Sequence, residues 1–258
     1  MKDATSFITK VGSTTGTSRE KLIIEAILKD KNYPSFLSRD KYLPLEILEG
    51  QTIITLFVCP DYVSVGDNNN FLRTPMYPTT AQTIANHFGC LLPTKRIVDK
   101  IYAAGTIVVE PVTYAPKKSD PHTPGRTATA AYIITNNAIN LSIKGLRPAG
   151  YDLEKELVVG HKKDIVLTNQ LLTKPSNVAI YGWHQKSKRG VPIQGLNAVD
   201  HSNSYVDYSH GVRMISRECL VNGAPTPLEE AYKHPLYGPM LTGDKPLLYT
   251  QYPTLQLQ

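Results

Sequence analysis

Tryptophan occurs once and cysteine three times in this chain of 258 residues. No apolar run reaches the roughly 18 residues that would cross a bilayer. Cys59, Cys90 and Cys219 match no metal-ligand spacing. One disulfide with a spare thiol and three free thiols both fit, so cysteine usage leaves the compartment open. The chain has no Walker loop, no GxGxxG and no nucleic-acid motif, which argues against nucleotide and dinucleotide enzymes. It has no HExxH or HxH spacing either, so a zinc site would need ligands converging from separate strands. The opening "MKDATSFITKVGSTTG" has no apolar stretch suited to a signal peptide.

Turn formers are plentiful, with 19 prolines and 17 glycines, and point away from a helical bundle. Fifteen tyrosines supply amphipathic rings suited to half-buried strands and binding surfaces. The net charge of +6 admits an acidic partner such as an anionic polymer. The basic residues are scattered, however. The densest runs, "HKKD" and "QKSKRG", are too short for a nucleic-acid stripe and read first as a solubilising surface.

The pattern along the chain predicts one α+β domain over 17–258, preceded by a polar flexible arm at 1–16. Short helices fall mainly in the N-terminal half, and a mixed or antiparallel sheet falls mainly in the C-terminal half. Thr17-Ser18-Arg19-Glu20 reads as a capping box ahead of "KLIIEAILKD". "QTIITLFV" reads as a strand, and "PTTAQTIANHFG" and "LPTKRIVDKIYAAG" as short helices, the second with Thr94 available as cap. "TIVVEPVTYAP" reads as a strand that breaks into an exposed loop at 117–127, and 128–134 as a further strand. "VAIYGWH" and "IQGLNAV" are expected to pair across a hairpin loop using Gly190, and "TPLEEAYKH" to form one short helix.

Four of the seven histidines lie between His161 and His210. Histidine titrates near neutrality and ligates metals, so this region is the candidate site. Read as a strand, "YVDYSHGVR" aligns Tyr205, Asp207, Ser209 and Arg213 on one face, with Tyr208 and His210 on the other. A carboxylate, a hydroxyl and a guanidinium in a row suit orienting a histidine and binding an oxyanion. An Asp207–Arg213 pair beneath stacked tyrosines is the plain structural alternative. In "GHKKD" a strand puts His161 and Lys163 on one face and Asp164 on the other, and the preceding glycine permits a turn that presents the imidazole.

Two mechanisms follow. In the nucleophilic one, Ser209 or Cys90 attacks, a histidine among His161, His201 and His210 acts as base, and Asp164 or Asp207 orients it. Cys90 is the preferred thiol because a helix opens just after it, although a buried apolar cysteine is its commoner fate. In the other, two or three histidines and an aspartate hold zinc, a version ranked below the first; otherwise no cofactor or metal is expected. Tyr205, Lys163, Arg213, Trp183 and His184 are the candidate substrate-binding residues.

The segments "CPDYVSVG", "NFLRTP", "LPTKRIVDKIY", "GHKKDIVLTN", "VAIYGWH" and "YVDYSHGVR" together resemble a mostly uncharacterised family of apparently secreted bacterial proteins. The likeness extends over most of the chain from residue 19. It implies an extracellular or periplasmic location and supplies no activity. The expectation is therefore a hydrolase of amide or ester bonds, in a cell-wall or other extracellular polymer, built on the His/Asp/Ser constellation in 160–213. The alternative is a non-catalytic carbohydrate- or polymer-binding module on the same tyrosine-rich face. A polymeric or peptide-like substrate is the expected partner, with no nucleic acid and no membrane span.

Overall fold

The computed structural model describes residues 3–117 and 123–254. The chain opens with two helices, α1 (Ala4–Val11) and α2 (Gly16–Ile24), the second running into a π-helical turn over Glu25–Lys29. The polar arm expected at 1–16 is thus largely helix. Asp3 accepts a hydrogen bond from the Thr5 amide at 3.1 Å, and Ala4, Phe7 and Val11 enter the core on one helical face. Threonine and serine between those positions hide the spacing. The expected capping box also differs: α2 starts at Gly16, and Glu20 accepts from the Tyr77 amide at 2.9 Å.

A six-stranded sheet carries the centre. Its strands are β1 (Leu43–Glu49), β2 (Thr52–Val58), β5 (Cys90–Leu91), β12 (Ile215–Ser216), β13 (Glu218–Val221) and β14 (Ala224–Pro227). β1 and β2 form a full antiparallel ladder, and β13 and β12 both pair antiparallel with β2. Between β2 and β5 lie the hairpin β3 (Ser64–Gly66)–β4 (Phe71–Arg73) and helix α3 (Pro78–His87). Helix α4 (Lys95–Ala103) follows, with the Thr94 hydroxyl accepting from the Ile97 amide as the sequence suggests.

Only Ile107–Val108 of the next expected strand is extended enough to pair, as β6, with β7 (Val158–Val159). Of the loop expected at 117–127, residues 118–122 lie outside the described residues. The strand expected at 128–134 is instead the start of α5 (Thr129–Leu146). Its buried Ala131, Tyr132, Thr135, Asn136, Ile139 and Ile143 recur at helical spacing, and packing overrides the β-branched composition.

The second sheet is the one that matters for the site. It holds β8 (Lys163–Ile165), β9 (Ile180–Gln185), β10 (Val191–Asn197) and β11 (His210–Gly211), in the order β10-β9-β8-β11. β9 and β10 form the expected hairpin, turned by Arg189 and Gly190 with φ of 56° and 80°. β11 runs parallel to β8 and places His210 opposite Lys163. Two short helices, α6 (Leu228–Lys233) and α7 (Tyr237–Thr242), end the described chain where one was expected. The fold is a single α+β domain, with helices mostly early, sheets mostly late, and one main core running from Ala4 to Tyr252. Among the described residues no helix is long and apolar enough to cross a membrane.

Candidate functional site

Strand β8 divides two polar clusters. Successive side chains on a strand leave by opposite faces, so Lys163 is half-buried while Asp164 is sealed inside. His161, in the bend before β8, sits with Asp164 around Tyr62 and not on the Lys163 face that strand alternation predicts. The register with β11 puts His210 beside Lys163 on one side.

The inner cluster is closed to solvent. Arg73 donates to both carboxylate oxygens of Asp61 (Nε 3.0 and 2.9 Å, Nη2 2.5 Å), a buried bidentate pair. His161 Nε2 lies 3.4 Å from Asp61 Oδ1, and its ring packs edge-on to Tyr62. Burial holds this imidazole down at about 4 despite the carboxylate, so it is neutral near pH 7 and the contact is not an ion pair. The Tyr62 hydroxyl donates to Asp164 Oδ2 at 2.9 Å, and burial raises that carboxyl to about 6. Arg213 lies over the Tyr62 ring at 4.1 Å and donates to the carbonyls of Cys59 (2.9 Å) and Val158 (2.6 Å). His161, Asp164 and Arg213 thus brace the join between the two sheets, each buried, as is Asp61.

The outer cluster reaches the surface. A turn at 208–209, closed by the His210 amide donating to the Asp207 carbonyl at 3.2 Å, overturns the one-face alignment of Tyr205, Asp207, Ser209 and Arg213. The turn still gathers three of the four. Asp207 Oδ1 accepts from the Ser209 amide at 2.8 Å and from its hydroxyl at 2.5 Å, and Oδ2 accepts from the Tyr205 hydroxyl at 3.2 Å. Arg213 points the other way, into the inner cluster. His201 stacks on Tyr205 at 4.1 Å, and Tyr205 meets His210 edge-on at 5.8 Å. Lys163 Nζ sits 5.0 Å over the face of Trp183. Lys162 is the link between the clusters: its amine donates to the Tyr208 carbonyl at 2.6 Å, and burial lowers it to about 7.

His210 is the central group. Burial lowers its imidazole to about 4, Asp207 opposes that shift, and Lys163, His201 and Lys162 add to it. Burial raises the Asp207 carboxyl, but its interaction with His210, the two Ser209 hydrogen bonds and Lys163 outweigh this and leave it below the usual range. Neither ring nitrogen of His210 has a hydrogen-bond partner among the described residues, and the neighbouring Trp183 Nε1 has none. Leaving such buried groups unpaired costs about 1–3 kcal/mol each, so the unpaired imidazole beside the Asp207 carboxylate needs an explanation. Lys163, Tyr205 and His201 are partly exposed and lie between the buried His210 and solvent. Trp183, held at a φ of 62°, packs with Tyr132 and Tyr208 in a small buried cluster, and Tyr114 covers Tyr208 by donating its amide to the Tyr208 hydroxyl at 2.9 Å.

Two expected members stand elsewhere. Cys90 lies in β5 of the other sheet, its thiol against the Tyr42 hydroxyl and the Phe88 carbonyl at 3.5 Å. Burial pushes it up to about 11, the reverse of an activated thiolate. All three cysteines are free and buried. His184 pairs with Asp99 at 3.1 Å and stacks on Tyr102, away from His210. Among the described residues no group of three or more His, Cys, Asp or Glu is placed to hold a metal ion. Asp61, Tyr62, Arg73 and Lys162 are the polar residues that the sequence did not single out, although "PDY" and "LRTP" place charges against apolar runs.

In comparisons with protein-family models, curated proteins and solved structures, nothing matches the chain.

Proposed function

We propose that the outer cluster is a hydrolytic centre in which His210 is the general base for water attack on an amide or ester carbonyl. The observation that carries this reading is an unpartnered imidazole beside an oriented carboxylate with the partly exposed Lys163, Tyr205 and His201 around it, which the equally unpartnered but sealed His161 lacks. His210 takes a proton from water as the oxygen adds to the carbonyl. Asp207 balances the imidazolium, and Lys163 meets the developing oxyanion. The imidazolium then returns its proton to the leaving nitrogen or oxygen.

Ser209 is a positioning residue in this scheme, because its hydroxyl is already given to Asp207. The nucleophilic alternative needs that bond to break. The resemblance and the basic charge direct the activity towards an extracellular polymer, with cell-wall peptide the first substrate to try. A flat carbohydrate-stacking face is less favoured, because Trp183 and Tyr208 are buried in a satellite core with Tyr132.

The test is a hydrolysis screen over activated esters, peptide amides and cell-wall fragments. His210→Gln and Asp207→Asn are expected to lower turnover by about 10²–10⁴-fold. Ser209→Ala should cost roughly tenfold, the size of a misplaced orienting group rather than of a lost nucleophile. Full activity in His210→Gln, or a serine-directed probe bonded covalently to Ser209, would refute the scheme.

A further inference from the structure

A cleft of about 400 Å³ opens where the C-terminal half of α5 faces the turn before β4, and it shares no lining residue with the outer cluster. Its size is that of a small-molecule pocket. The polar lining consists of Arg73, Lys144, Arg147, Tyr151 and four asparagines, with no aspartate or glutamate among them. Arg73 is committed to Asp61 below and to Asn140, whose oxygen accepts from Nη1 at 2.7 Å. That bond uses the acceptor of Asn140 and leaves its amide donors for the cleft. Lys144 and Arg147 make no ion pair among the described residues, and the Arg147 guanidinium is already laid over the Tyr151 ring at 4.3 Å. A stacked guanidinium loses less freedom when it binds a planar or tetrahedral oxyanion. Phe71, Leu141 and Ile143 supply the apolar remainder.

We propose that this cleft binds a small organic oxyanion, with a phosphate or carboxylate head on Lys144 and Arg147 and an apolar body over Phe71. The proposal does not depend on the hydrolytic reading. Calorimetric titration of the full chain at low ionic strength tests it, with phenyl phosphate and benzoate as probes of the two head groups and inorganic phosphate as the head alone. One saturable site is expected for at least one aromatic probe, tighter than for inorganic phosphate. The double variant Lys144→Gln/Arg147→Gln should weaken it at least tenfold, while Lys163→Gln should leave it unchanged. Both replaced residues are exposed, and an unaltered melting transition checks that the variant folds. The probe that binds identifies the head group. No saturable binding of any probe up to about 10 mM, binding that survives the double change, or binding lost in Lys163→Gln would overturn the proposal.

Discussion

The Arg213 guanidinium has carbonyls and a tyrosine ring as partners, not Asp207, and it is fully buried. Expected to bind substrate or an oxyanion, Arg213 is instead a buried brace in the inner cluster. Lysine cannot reproduce two separated donors and a planar stack. Arg213→Lys is therefore expected to destabilise the fold by about 3 kcal/mol in urea unfolding, and a change under about 1 kcal/mol would contradict the bracing role. The outer cluster was legible because Tyr205, Asp207, Ser209 and His210 are sequence neighbours and Lys163 sits in a quoted motif. The inner cluster was not, because its bonds join residues as far apart as Tyr62 and Asp164. No local pattern encodes a contact across 102 residues.

Among the elements, β8 and its entry turn position both clusters. Gly160 precedes the strand with a φ of 95°, and a Cβ there would stand 2.5 Å from the Val109 carbonyl oxygen. Gly160→Ala should cost roughly 2 kcal/mol or more, seen as a lowered melting temperature, and a silent substitution would show that the approach has slack. The glycine marks the turn in the sequence, but the imidazole after it is buried rather than presented to a cleft, and the closeness to Val109 has no local signal. Helix α5 shows the opposite failure, since "TAAYIITNN" carries β-branched residues that read as strand until Tyr132 and Asn136 find buried partners. Alternation also led the reading astray at 205–209, where Asp207 bonds the amide two residues on and folds the run into a turn.

At the scale of the whole molecule, buried titratable groups tie stability to pH. His161 and His210 are held at about 4, against an ordinary 6.5, so the unfolded chain binds their protons more readily. Their contribution is complete above about pH 6.5 and is lost as pH falls towards 4. Asp164, raised to about 6 from 3.8, works in the opposite direction, because the folded state takes its proton first. Two groups oppose one over the shared window, so acidification from pH 6.5 to 4 should destabilise the protein by on the order of 2 kcal/mol. Denaturant unfolding across that range checks the sign, and Asp164→Asn should steepen the loss. A flat profile would mean that the imidazoles are not held neutral by burial.

His210 is where these scales meet, and an NMR titration of the histidine rings tests it without knowledge of a substrate. The account predicts that His210 stays neutral at pH 6 and titrates well below the ordinary value, and that Asp207→Asn lowers it further by removing the one charge that favours the imidazolium. A His210 ring that titrates near 6.5, and does so equally with and without the Asp207 carboxylate, would contradict the proposed centre.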